Sequence, residues 1–344
     1  MGLKDFLKRL VAAGDGHKET APTARMQRRA EPGAPPAGPG KDVGELARRL
    51  GMTISELMAV TPSYQTFTIP KRKGGQRKIL APAPPLKALQ KKILRRLLSR
   101  LRVHPAVRGF ERGQSIVTHA RGHARKAVVL HMDIKDFFPS TAAWRVHDYF
   151  RRIGWNKDAA ELLTRLTTYE NGLPQGAPTS PRISNLVNYR MDVRLAAVAA
   201  YAAGTLGGAD PQSAGKSGAG PGPRADGEGP CAVLYTRYAD DLTFSFDRED
   251  RHAVAAVIRI TKAVVRDEGY ELHQKKKLRI MRRHDRQVVT GLVVNDGPRL
   301  PREVRRRLRA VRHHLSAGKP ATLTPAQLAG WDSLQKMVVA QSQA

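Results

Sequence analysis

The chain lacks most of what disulfide, zinc-thiolate or membrane proteins require. Cys231 is the only cysteine in 344 residues, which excludes an internal disulfide and any cysteine-based zinc site and fits a reducing compartment. No segment approaches the roughly 20 apolar residues of a membrane span, and the amino terminus has no apolar core long enough for a signal peptide. A soluble, cytoplasmic protein without a membrane partner is expected. Acidic residues are also scarce, 30 Asp and Glu against 60 Lys and Arg, giving a formal net charge of +30. That balance is typical of chains that lie against phosphate backbones. No internal repeat is visible, and the length suffices for one large catalytic unit or two modest domains.

Residues 1–41 read as a basic, mostly disordered tail carrying a short amphipathic helix with Leu3, Phe6, Leu7, Leu10 and Val11 on one face. Asp42 and Glu45 form a capping-box signal that opens two short helices. FTIP (67–70) and RKIL (77–80) flank Lys73-Gly74-Gly75 and predict a basic hairpin. A helix over Leu86–Leu101 follows, with Lys87, Lys91, Lys92, Arg95, Arg96 and Arg100 off its apolar face, a pattern that suits nucleic acid or a solvated face. The apolar run from Ala127 to Leu130 predicts a buried strand ending at Asp133, and a helix is expected over Ser180–Ala203. Residues 204–230 are rich in Gly, Pro, Ala and Ser and read as a disordered insertion. Two short strands, Ala232–Tyr238 and Leu242–Phe246, surround Ala239-Asp240-Asp241, so adjacent carboxylates stand at a hairpin tip. A helix over His252–Asp267, a strand over Val288–Val294 and a very basic helix from Arg302 complete the chain.

Hard divalent cations prefer oxygen ligands, and a pair of them can activate a hydroxyl and hold a leaving oxygen in phosphoryl transfer. Asp133 at a strand end and Asp240 with Asp241 at a hairpin tip are therefore candidates to hold two Mg²⁺ ions if one sheet brings them together. Adjacent carboxylates within an apolar, aromatic hairpin are costly without a cation to compensate them.

HMDIKDFFPS (131–140), LPQGAPTSPRISNLV (173–187) and YADDLTFS (238–245) occur in the order found in reverse transcriptases, and the chain resembles that family over most of its length. IPKRKGGQRKILAPAPPLKALQ, HPAVRGFERGQSIVTHA and RQVVTGLVVND make it most similar to the bacterial retron group. The resemblance implies an α+β, right-hand polymerase fold. Fingers and palm would occupy 42–295, with the YADD hairpin in an antiparallel palm sheet, and an α-helical thumb 296–344. It implies an RNA-directed DNA polymerase with Asp133, Asp240 and Asp241 as catalytic metal ligands. The backbone amides of Asp136 and Phe137 would face the triphosphate, Phe138 would be the steric gate against a ribose, Gln175 would lie near the incoming sugar and base, and Arg77 would contact the triphosphate. Lys71, Arg72 and Lys73 compete with Arg77. Lys275, Lys276 or Lys277 would assist the leaving pyrophosphate.

Two retron-associated elements are located, VTG at Val289, Thr290 and Gly291, and an NAxxH-like element at His119, Ala120 and His123 with His119 in place of Asn. RNA contact is expected of both, with local hydrogen bonding the alternative for the histidines. In REVRRRLRAVRHHL, Val304, Leu308 and Val311 form an apolar stripe and leave Arg305, Arg306, Arg307, Arg309 and Arg312 to project, so Arg306, Arg309 and Arg312 are expected to bind RNA. The implied partners are a cognate structured noncoding RNA, its multicopy single-stranded DNA product, deoxynucleoside triphosphates and a separate effector in antiphage defence. A template-independent defence polymerase and an intron-type reverse transcriptase are the alternatives.

Overall fold

The structure, a computed structural model, describes residues 40–70, 74–204, 231–273 and 278–343. The expected amino-terminal helix, Lys71, Arg72 and Lys73, the insertion after residue 204 and Lys275, Lys276 and Lys277 lie outside the described residues. Two compact units are each assembled from three stretches of chain: residues up to His104, Lys135–Val193 and Val265–Glu271 in the first, and Pro105–Ile134, Arg194–Val264 and Leu272–Ala344 in the second. All strand pairs are antiparallel and helices dominate the rest, as a mixed α+β chain requires.

The first unit opens with α1 (Val43–Leu50), whose first turn is closed by the Asp42 carboxylate accepting from the Glu45 amide at 2.8 Å. After α2 (Ile54–Ala59), strands β1 (Tyr64–Pro70) and β2 (Gln76–Pro82) form the expected basic hairpin, mostly exposed. The helix expected over Leu86–Leu101 instead ends as α3 (Pro84–Ile93) and continues as a π turn over Leu94–Leu98, where the Ser99 amide reaches back to the Leu94 carbonyl at 2.9 Å. Helices α4 (Ile116–Gly122, second unit), α5 (Phe137–Ser140), α6 (Ala143–Arg152), α7 (Lys157–Thr167), α8 (Ser180–Val187) and α9 (Tyr189–Ala202) follow along the chain.

The expected single helix over 180–203 breaks at Asn188, whose side chain donates to the Ser184 carbonyl at 2.9 Å and to the Tyr270 hydroxyl at 3.0 Å. Leu46, Leu50, Ile93, Phe150, Leu163 and Ile183 are at most 1 % exposed and form the core of this unit. Each such side chain contributes about 1.5–3 kcal/mol of transfer free energy.

In the second unit the sheet order is β4-β5-β3-β6, from β3 (Val128–Asp133), β4 (Val233–Tyr238), β5 (Asp241–Phe246) and β6 (Arg279–Arg282). β3 is central and buried on both faces, so it reads as a continuous apolar run rather than an alternation. Helix α10 (Arg251–Asp267) lies between β5 and β6 in sequence. The strand expected over Val288–Val294 is a miniature hairpin, β7 (Val288–Val289) and β8 (Leu292–Val293). The chain reverses there because Thr290 and Gly291 adopt φ values of 46° and 85°, a left-handed turn no strand can contain. Helices α11 (Arg302–Ser316) and α12 (Pro325–Gln343) complete the unit. No helix among the described residues is long and apolar enough to cross a membrane.

Candidate metal centre

β3 carries Asp133 at its carboxyl end, and the antiparallel register sets Asp133 directly opposite Asp241, the first residue of β5. Directly opposed side chains in such a pair have Cβ atoms about 4.5–5.5 Å apart, and like charges there repel. The β4–β5 turn pairs Tyr238 with Asp241 and leaves Ala239 and Asp240 as the two loop residues, Ala239 with φ 56°. The tip is tied to the sheet: the Ile134 amide donates to the Asp240 carbonyl at 3.0 Å, and the His273 amide donates to the Asp133 carbonyl at 2.9 Å.

Side-chain ligand atoms of His131, Asp133 and Asp241 all lie within 4.8 Å of one another. His131 joins the group because strand residues two apart share a face, and its Nε2 stands 3.4 Å from Asp241 Oδ1. On the other side His273 Nε2 is 3.5 Å from Asp133 Oδ1. Asp240 is outside this three-residue group. Two facing carboxylates fit a hard cation that keeps water and substrate phosphate in its remaining positions, and an imidazole broadens the donor set toward transition metals. Behind the turn, Arg237 is fully buried and its Nη1 donates to the Ala239 carbonyl at 3.2 Å, which braces the turn backbone. Arg237 is also clasped through its backbone by Ala106 and Arg108, at 2.9 and 2.8 Å.

The NAxxH-like histidines support this hairpin from α4. His119 and His123 are 1 % and 0 % exposed, so the expectation that their rings contact RNA does not hold; local hydrogen bonding, the alternative, does. Nε2 of each ring is 2.7 Å from the Thr236 hydroxyl on β4, and His123 Nδ1 is 2.8 Å from the Ser245 hydroxyl on β5. The His119 ring stacks on Tyr238 with centroids 5.6 Å apart. Burial drives the His119 pKa down to about 3 and holds His123 well below 6.5, so both rings are neutral. Burial, and then the Asp241 charge, raises the Tyr238 phenol.

The remaining candidates fall into two groups, one in each unit. In the first unit, exposed Asp136 (φ 45°) precedes α5, Phe137 is buried against Tyr270 with centroids 5.7 Å apart, and Phe138 is partly buried against the core. The Leu173 amide donates to the Phe138 carbonyl at 3.1 Å, and the Leu80 amide on β2 to the Gln175 carbonyl at 2.8 Å. Gly176 adopts φ 130° where a Cβ would stand 2.7 Å from the Leu80 oxygen, so the Gln175 loop lies against β2. Arg77 is on the same strand, exposed, paired in register with Ile69.

In the second unit, Val289 is buried and the Thr290 hydroxyl donates to the Ile116 carbonyl at 3.1 Å. Thr290 and Gly291 line a cavity of about 400 Å³ together with His131, Tyr238 and Asp241. Arg306 and Arg309 are exposed, whereas Arg312 is engaged by Asp332 and by Gln335 at 3.1 Å, so it bridges α11 to α12 instead of projecting as expected.

Sequence reasoning missed His131, Thr236, Arg237, Ser245 and His273. Only His131 left a signal, its place two residues before Asp133 on a strand.

Residues 69–294 match the family described as reverse transcriptase (RNA-dependent DNA polymerase). The chain is 37 % identical over 315 residues to the retron Mx162 reverse transcriptase of Myxococcus xanthus, covering 80 % of this chain and 59 % of that protein. Identity to the retron Mx65 reverse transcriptase of the same organism is also 37 %, covering 80 % and 61 %. The retron Ec86 reverse transcriptase of Escherichia coli is 31 % identical over 290 residues, with 83 % of this chain and 80 % of that protein covered. The chain thus spans about 60 % of the length of the two Myxococcus relatives and four-fifths of the Escherichia coli one. With a family match across its centre and these relatives over most of its length, the chain belongs to the reverse transcriptases, and among them to the bacterial retron group.

Proposed function

We propose that this protein is an RNA-directed DNA polymerase that copies part of a cognate structured noncoding RNA into multicopy single-stranded DNA. It would act in the cytoplasm as the polymerase of an antiphage retron with a separate effector. The observation that carries the polymerase reading is the register pairing of Asp133 with Asp241 beside the turn residue Asp240.

In this reading Asp133 and Asp241, with Asp240 at the turn, hold two Mg²⁺ ions, which when bound supply Lewis acidity to the attacking hydroxyl and the leaving oxygen. The protein's own part is to keep the carboxylates in place. β3 is anchored on both edges by β5 and β6, Ala239 and Asp240 form a two-residue turn, and Arg237 braces that turn by donating to the Ala239 carbonyl. In the fingers and palm, Arg77 and the Asp136 and Phe137 amides take the triphosphate, Gln175 the sugar and base, and Phe138 excludes a 2′-hydroxyl. In the thumb, exposed Arg306 and Arg309 take RNA phosphates. The VTG turn fixes register next to the carboxylates.

Asp241→Asn tests the assignment. It removes one ligand charge while preserving shape, so primer extension should fall by roughly 10²–10³-fold, the equivalent of several kcal/mol of lost charge stabilisation. Without Mg²⁺ the variant should unfold no earlier than wild type, because its repulsion with Asp133 is gone. Near-normal extension by the variant sinks the metal assignment. For the retron reading, DNA that co-purifies with the protein should copy a structured RNA on sequencing.

A further inference from the structure

The first unit contains a cleft of about 490 Å³ whose lining consists of five arginines, Arg48, Arg49, Arg95, Arg96 and Arg100. All five are exposed. They converge from two elements. Arg48 and Arg49 lie in the last turn of α1, while Arg95 and Arg96 stand on the π turn and Arg100 just beyond it.

Local geometry explains the convergence. Residues five apart on an α-helix point about 140° away from one another, whereas the widened Leu94–Leu98 turn adds a residue to the circuit and swings Arg100 back toward Arg95. Gly51 ends α1 at φ 61°, and a Cβ there would stand 2.4 Å from Arg96 Nη1. The glycine therefore leaves room for the Arg96 guanidinium to lie over the end of α1, where Nη1 donates to the Arg49 carbonyl at 3.3 Å. Glu45 pairs with Arg48 at 2.7 Å and Arg49 at 2.6 Å, one carboxylate against five guanidinium groups. Lys91 and Lys92 add positive charge on the same helix. Arg286 and Arg312, by contrast, each have an acid of their own, Glu303 and Asp332.

We propose that this cleft binds the phosphodiester backbone of a nucleic acid, as an attachment site separate from Arg77, Phe138 and Gln175, none of which lines it. Guanidinium forks engage phosphate oxygens two at a time, and several forks around a concavity surround successive phosphates in a way that a convex charged helix does not. An anion there also relieves the repulsion among the five arginines. The inference rests on the polymerase reading only in taking RNA as the first ligand.

The test uses the full-length protein and the double variant Arg95→Gln/Arg100→Gln. Binding of a fluorescent hairpin RNA, and of a DNA hairpin of the same sequence, is measured between about 50 and 200 mM salt. Loss of two phosphate contacts should weaken binding and reduce the slope of log K against log salt by about 1.4 to 1.8. Loss for RNA alone identifies RNA as the occupant, and equal loss for both hairpins identifies a backbone of either sugar. Arg95→Lys/Arg100→Lys should restore the slope, since charge sets it, and only part of the affinity. Thermal unfolding and extension of a short primer–template at saturating enzyme should be unchanged. Unaltered slopes and affinities on both hairpins overturn the proposal, and loss of saturated extension in the Gln variant overturns its separateness from the polymerase site. A wild-type protein that binds through the cleft yet extends no primer counts against the polymerase reading alone.

Discussion

Replacing Thr236 by Val should reveal how much of the β4–β5 hairpin's stability resides in one hydroxyl. Thr236 Oγ1 is the shared partner of two buried imidazoles, at 2.7 Å from Nε2 of His119 and of His123, and Thr236, His119 and His123 are each at most 1 % exposed. Valine fills nearly the same volume, so no cavity opens and the loss is almost purely that of hydrogen bonding. Each buried polar group left without a partner costs about 1–3 kcal/mol. Both rings are buried, and moving a ring proton from one nitrogen to the other leaves as many orphaned atoms as before. The two rings together should therefore cost about 2–6 kcal/mol of unfolding free energy, read from the urea midpoint at unchanged m. Because the histidines tie α4 to both β4 and β5, hydrogen exchange across Val233–Tyr238 should rise as well. A loss below about 0.5 kcal/mol would refute the reasoning, because it would mean the rings find other partners at little cost.

The same histidines set a pH dependence. An unfolded chain protonates them near 6.5, whereas the folded chain keeps His119 neutral down to about 3 and His123 neutral well below 6.5, chiefly through burial. Their contribution to stability is complete above about pH 6.5 and is lost as pH falls, with a limiting slope of about 1.4 kcal/mol per pH unit for each histidine. Urea unfolding at pH 7.5 and 5 should show wild type losing more stability than a His119→Asn/His123→Asn variant; equal losses would dismiss the linkage. Phe138→Ala should raise ribonucleotide relative to deoxynucleotide incorporation, measured as a ratio of kcat/KM values, since a phenyl ring discriminates by bulk alone. An unchanged ratio would leave Phe138 a packing residue.

Much of this architecture was legible before the structure. Asp133 and the Asp240-Asp241 pair stand where the apolar runs place them, because a strand buried on both faces and a tight hairpin are written in local composition. Features that depend on distant packing were not. The π turn at Leu94–Leu98 has no composition of its own, and the break at Asn188 exists because Tyr270, 82 residues away, offers a hydroxyl to its amide. The Val288–Val294 run is apolar enough for a strand, yet Thr290 and Gly291 turn it back on itself. Arg237 looks like one more surface arginine among many. It is nevertheless fully buried, with Ala106 and Arg108 clasping its backbone from a segment more than a hundred residues earlier in the chain.

The strand order β4-β5-β3-β6 also has a temporal consequence. β3 leaves the ribosome before its neighbours at Asp241–Phe246 and Arg279–Arg282, which follow more than a hundred residues later. At translation rates of roughly 5–20 residues per second, Val128–Asp133 waits for several seconds or more with both edges unsatisfied. Nascent chains of this protein should therefore depend on holdase chaperones, and truncations that end before β6 should aggregate rather than accumulate as partial enzymes. Pairing across such separations is slow, so Asp133 and Asp241 face each other only after more than a hundred intervening residues have been made. Nascent chains shorter than that lack the facing carboxylate pair altogether.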